Sequence, residues 1–157
     1  MHRAFIALGA NLEDPAAQLR AALAALGAEP GIARVRPSSL YRTAPIGADG
    51  PDYVNAVAEV LTNLSPHALL QSLFAVEARF GRSRSYRNAP RTLDLDLLLH
   101  GETVLASPDL TLPHPRLHLR AFVLVPLAEI APDLALPGRG SVAAWLPAVA
   151  NQRIEKL

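Results

Sequence analysis

Cysteine is absent from this chain, which excludes disulfides and thiolate metal sites and suits a reducing compartment. Lysine is nearly absent: of 15 basic residues only Lys156, next to the C-terminus, is not an arginine. A P-loop, whose GxxxxGK[ST] pattern requires a lysine, is therefore excluded. Aromatic residues make up only 5% of the chain, few for a sheet that stacks nucleic-acid bases. Long apolar runs are also missing. The stretch 122–127 is short and contains Pro126, and the N-terminus lacks the apolar segment of a signal peptide. A net charge of +1 gives no general attraction to polyanions or membranes. These absences predict a cytoplasmic protein with neither nucleic acid nor membrane as partner. At 157 residues the chain fits one domain, 1–157, large enough to bury a core without covalent staples.

The most informative segment is 81–101, GRSRSYRNAPRTLDLDLLLHG. Leu93, Leu95, Leu97 and Leu99 alternate with Asp94, Asp96, Leu98 and His100, and in a strand such alternation sends both aspartates to one face. Their positions lie about 6.5 to 7 Å apart along the strand. That spacing suits two carboxylates holding one Mg2+ or bridging two ions. Upstream, Arg79, Arg82, Arg84, Arg87 and Arg91 form a basic stretch with no acidic residue between Glu77 and Asp94. Guanidinium forks match phosphate oxygens, so the layout fits a magnesium-bound polyphosphate. An alternating leucine and aspartate strand alone also describes a sheet with a wet polar face. The arginine loop running into it, with Gly81, Asn88 and Pro90, favours a site.

The order of elements supports a compact scaffold. Residues 4–8 read as a strand, and Asp14 with Pro15 opens a helix carrying Leu19, Leu23 and Leu26 on one face and stopping near Gly27. Residues 33–41 read as extended, 43–52 as a loop and 53–61 as a strand. Ser65 and Pro66 open a second helix with Leu69, Leu70, Leu73, Val76 and Phe80 apolar, before the aspartate-bearing strand. Strand, helix, strand, strand, helix, strand predicts an α+β, ferredoxin-like sandwich, with a mainly antiparallel sheet, helices on one face and a loop-rich C-terminal third. Within that third, 121–130 is expected to form strand or short helix.

Single residues extend the picture. Asn55, inside an otherwise apolar strand, needs partners that the edge of a flat heterocycle could supply, although a satisfied structural amide is equally consistent. Tyr53 could stack on such a ring. Glu77 reads most simply as a surface charge, and His114, between Pro113 and Pro115, as a structural or solvent-facing histidine.

Four segments together carry a resemblance: IALGANL at 6–12, YRTAPIG with PDYVNAV within 41–57, PRTLDLDLLLHG at 90–101 and LPHPRLHLRAFVLVPLAEIAP at 112–132. In order and spacing they resemble the 6-hydroxymethyl-dihydropterin pyrophosphokinases of folate biosynthesis. The resemblance implies transfer of pyrophosphate from the co-substrate ATP to a pterin alcohol, with release of AMP, by a monomer acting on small molecules. It implies that Asp94 and Asp96 hold two Mg2+ ions and that Arg82 and Arg91 steady phosphoryl charge. Arg84, His114 and Arg120 would contact the triphosphate, and Glu77, Leu97 and Thr111 would line the nucleotide pocket. The pterin would lie between Tyr53 and Phe122, read by Asn55 and the backbone of Thr43, Ala44 and Ile46, with Gly9 permitting close approach and Asn88 at the lid. Members often carry an aromatic residue where Asn88 stands, some carry tyrosine in place of Pro115, and a basic residue can occupy the position of Asp109. The arginine loop is also one residue shorter and lacks lysine. Two rivals remain at this level: an RNA-binding module using an open sheet face, and a metal-dependent nuclease or nucleotidyltransferase using the same carboxylates.

Overall fold

The computed structural model describes residues 1–45, 50–80 and 93–157. Its elements are β1 (His2–Ala10), α1 (Pro15–Gly27), β2 (Ile32–Pro37), β3 (Tyr41–Thr43), β4 (Tyr53–Thr62), α2 (Pro66–Arg79) and β5 (Asp94–His100). Beyond them follow β6 (Leu105–Ala106), β7 (Thr111–Leu112), α3 (Ala121–Ile130), β8 (Ala135–Leu136), β9 (Gly140–Ser141), α4 (Val142–Trp145) and β10 (Ile154–Lys156). The main sheet runs β10-β3-β4-β1-β5, with β2 also paired to β4, and all of its pairings are antiparallel. This is the α+β, ferredoxin-like arrangement expected from the element order.

Both early helices start where their caps dictate. The Asp14 carboxylate accepts the Ala17 amide at 3.2 Å and the Ser65 hydroxyl accepts that of Ala68 at 3.2 Å, each followed by a proline in the first turn. Leu19, Ala22 and Leu26 of α1, with Leu69, Leu70, Leu73 and Val76 of α2, bury against one sheet face formed by alternate residues of β1, β4 and β5. Each large apolar side chain removed from water there contributes about 1.5 to 3 kcal/mol.

The extended stretch expected over 33–41 is divided into β2 and β3. Both pair with β4, and the break between them is filled by Ser38, whose amide donates to the Val57 carbonyl at 2.7 Å while its hydroxyl accepts the Val57 amide at 3.0 Å. The segment 121–130 forms a helix that continues through Pro126. Whereas α1 and α2 share one face, α3 lies on the other, where it packs with Phe5, Ala7, Val57, Leu98 and Leu99. Nearly every side chain of α3 is apolar, so a helix there covers sheet and C-terminal segment together. No described helix is long and apolar enough to cross a membrane.

Candidate active site

Strand register brings the predicted residues together. Gly9 at the centre of the sheet pairs with Asn55 on one side and Asp94 on the other, and Asn55 pairs in turn with Tyr41. One step along, Ala7 pairs with Asp96 and Val57. Residues directly opposite in a ladder share a face, so the aspartates, Gly9 and Asn55 point to the side on which α3 packs. Thr43 donates to the Asn55 side-chain oxygen at 2.5 Å, which fixes the amide with its nitrogen toward Gly9.

The alternation expected along 93–100 is interrupted. The register shifts between Phe5, opposite Leu99, and Ile6, opposite Leu97, leaving Leu98 as an extra residue. Leu93, Leu95 and Leu97 remain on the helix-covered face, but Leu98 and Leu99 both join the α3 side. His100 turns to donate to the Leu64 carbonyl at 2.8 Å. The extra residue has a further effect: the Leu98 carbonyl accepts the His114 amide at 2.9 Å, which ties the His114 loop to the strand that carries the aspartates.

Two cavities of about 350 Å3 meet at Asp94 and Asp96, which line both of them. Around the first stand Gly9, Thr43, Ala44, Tyr53, Asn55, Arg120 and Phe122. Leu97, Thr111 and His114 line the second. The first therefore unites the described residues among those expected to meet a pterin, with Arg120 on its wall rather than in the second cavity. The second adds Phe74, Ser107 and Leu110, which the sequence did not single out, together with Leu70, read there only as a core position, and Asp109, noted there only as a departure from the family pattern. Phe74 lies off the buried stripe of α2 and is a large apolar side chain left 39% exposed, a signal that a helical projection could have flagged. Arg116, also missed, lines the first cavity. Ile46, Arg82, Arg84, Asn88 and Arg91 lie outside the described residues.

Glu77 is not a surface charge. It is 1% exposed, and its carboxylate accepts the Leu95 amide at 2.8 Å from behind the wall of the second cavity. Nor is His114 solvent-facing. Burial first, then the cations Arg120, Arg116 and Arg139, push its imidazole down from 6.5 to about 4, against a smaller opposing pull from Asp94. Its Nδ1 accepts the Arg116 amide at 3.2 Å, so the neutral ring carries its proton on Nε2 and is a hydrogen-bond donor near neutral pH.

The C-terminal segment braces this site. Arg139 donates to the His114 carbonyl at 2.8 Å. Gln152 accepts the Ala121 amide at 2.9 Å and donates to the Leu119 carbonyl at 3.0 Å, capping α3 where Arg120 and Phe122 project. The Arg120 guanidinium stands 5.3 Å from the centre of the Phe122 ring, which restrains both. Finally, β10 pairs with β3, the strand that ends at Thr43.

As a metal site the donor set fits Mg2+. The two carboxylates share one face and are partly exposed toward both cavities. Among the described residues no cluster of three or more His, Cys, Asp or Glu side chains forms. A hard cation held by two carboxylates keeps its other positions for water and phosphate oxygens, as Mg2+ does in nucleotide sites.

Comparison with known proteins gives the family and the fold. A model of the 7,8-dihydro-6-hydroxymethylpterin-pyrophosphokinase family matches residues 5–132. The chain belongs to that family. The 2-amino-4-hydroxy-6-hydroxymethyldihydropteridine pyrophosphokinase of Pseudomonas aeruginosa is 47% identical over 158 aligned positions, covering 100% of this chain and 98% of that relative. The Haemophilus influenzae protein of the same name is 46% identical, covering 100% and 99%. Among solved structures, Plasmodium falciparum HPPK-DHPS superposes with a TM-score of 0.73 at 12% identity, over 94% of this chain. The chain spans only 43% of that fused protein, and at such low identity the likeness speaks to the fold. In this pyrophosphokinase family member, the matched stretch contains all the elements that build the two cavities.

Proposed function

We propose that the protein transfers the pyrophosphoryl unit of Mg-ATP to the hydroxymethyl group of 6-hydroxymethyl-7,8-dihydropterin, releasing AMP, in folate biosynthesis. The observation that carries this reading is the position of Asp94 and Asp96 on the boundary between two cavities, where a metal-bound phosphate chain from one side meets an acceptor from the other. Family membership and full-length relatives at 46–47% identity support the same reaction.

In the first cavity the pterin lies between Tyr53 and Phe122, with Asn55 and the backbone near Thr43 and Ala44 on its polar edge. In the second, Leu97, Thr111 and neighbouring apolar groups hold the nucleotide, and the His114 Nε2–H donates to phosphate without adding charge. Arg82, Arg84 and Arg91 are proposed to meet the triphosphate, with Arg82 and Arg91 opposing the negative charge that develops. The pterin hydroxyl oxygen attacks the β-phosphorus in line with the bond to the oxygen bridging to the α-phosphorus. That bond breaks, AMP leaves with the bridging oxygen, and the hydroxyl proton passes to water. Two Mg2+ ions, when bound, supply charge neutralisation at the phosphate oxygens. Asp94 and Asp96 orient both reactants by holding that charge at the cavity boundary.

Because a single chain builds both cavities, we further propose that a monomer of residues 1–157 acts as one catalytic unit. It would work in the cytoplasm, where ATP is abundant and a cysteine-free chain needs no oxidation. The RNA-binding alternative is disfavoured because α3 roofs part of the sheet face that such modules leave open. The test is incubation with Mg-ATP and the pterin alcohol. AMP should form only when both are present, and AMP release that ignores the pterin would point instead to a hydrolase or nucleotidyltransferase.

A further inference from the structure

The two aspartates stand on the last strand of the sheet. Among the described residues β5 pairs only with β1, and the backbone groups on its other edge need partners of another kind. In an antiparallel ladder successive residues direct their N–H groups alternately toward and away from the partner strand. Leu95, between Asp94 and Asp96, directs its amide away from β1 and donates it to Glu77 at 2.8 Å. Glu77 comes from the last turn of α2, is 1% exposed, and projects beside Leu73 and Val76, which anchor that helix to the core. A carboxylate is a costly group to bury, and a backbone amide is a partner that repays it.

We propose that Glu77 is a positioning residue for the metal pair: by holding the Leu95 amide it fixes the strand between Asp94 and Asp96 and so sets the separation and direction of their carboxylates. This rests on the reading that those aspartates bind divalent cations, and it gives Glu77 a role other than contact with the nucleotide. Two rigid supports then meet on β5, Glu77 at Leu95 and the His114 amide at the Leu98 carbonyl. The aspartates lie beside the first and are kept from pivoting by the second. Residues that orient metal ligands in this way typically change metal affinity or activity by about 10- to 100-fold when removed.

The test uses the whole protein and two probes besides turnover. Mn2+ binding, read by electron paramagnetic resonance with a non-hydrolysable α,β-methylene ATP, reports the metal pair, and amide hydrogen exchange at Leu95 reports the contact itself. Glu77→Gln keeps an acceptor of the same shape and should stay within about threefold of the parent in Mn2+ affinity and kcat. Glu77→Leu should speed Leu95 exchange and weaken Mn2+ binding by about tenfold or more, leaving the KM for the pterin unchanged. Should Glu77→Leu fail to fold, Glu77→Met gives the same readout with a more adaptable side chain. The proposal is overturned if the acceptor-free variant binds Mn2+ like the parent. It is equally overturned if Glu77→Gln loses as much as Glu77→Leu, since the carboxylate charge would then act directly. Failure of the parent protein to make AMP would sink the proposed reaction while leaving the Mn2+ and exchange measurements able to judge Glu77.

Discussion

The Asn55 side-chain amide lies across Gly9: a β-carbon built on Gly9 would stand 2.9 Å from Asn55 Nδ2. The absence of a side chain at Gly9 thus lets Asn55 reach over the central strand while Thr43 holds its oxygen. Gly9→Ala should displace that amide, raising the KM for the pterin several-fold and destabilising the fold by about 1 to 3 kcal/mol. Affinity for ATP should be preserved. Substrate titrations with thermal melts check both, and an unchanged pterin KM would disconnect Asn55 from pterin recognition.

Removing either charge of the metal pair should be far more severe. Asp94→Asn or Asp96→Asn is expected to reduce AMP formation by more than about 100-fold, because in the proposed reaction several kcal/mol of charge stabilisation depend on cations that these carboxylates would hold. Melting temperature should fall little, since both side chains are partly exposed. Initial rates across a Mg2+ titration distinguish lost chemistry from weakened metal binding.

His114 predicts an acid-sensitive fold. In the folded protein it holds a proton only below about 4, against 6.5 ordinarily, so protonation favours the unfolded chain. Its full contribution is present above about pH 6.5 and is lost as pH falls toward about 4, by up to about 3 kcal/mol. Urea melts between those pH values should show stability declining on acidification, and His114→Asn should flatten that limb. Glu59 and Glu129, whose carboxyls are held below their ordinary value by hydrogen bonds and cations that outweigh burial, lose their contribution at lower pH still.

Gln152 acts at a distance from either cavity. Gln152→Ala would leave the buried Ala121 amide without its acceptor, at a cost of about 1 to 3 kcal/mol. Loosening the start of α3 should also weaken the pterin site through Arg120 and Phe122, while nucleotide binding stays near normal. A melt combined with separate equilibrium titrations of the two substrates checks this division.

Much of this molecule was determined by short-range chemistry that a sequence states directly. Asp14-Pro15 and Ser65-Pro66 set where α1 and α2 begin, because capping and a fixed proline φ act within a single turn. The i and i+2 spacing put Asp94 and Asp96 on a common face whatever else packed around them, since side chains alternate along any strand. Only tertiary structure decided that Leu98 would be an extra residue, since a bulge is defined by the partner strand and not by the strand that bulges. The same holds for Glu77, which in a helical pattern is one more polar residue near a C-terminus and becomes buried because α2 docks beside β5 and meets the Leu95 amide. That Arg120 and Phe122 face the first cavity depends likewise on Gln152, 31 residues beyond Ala121, accepting the first amide of α3. Register and docking are set by contacts between distant segments, so they emerge only when the whole chain has closed on itself.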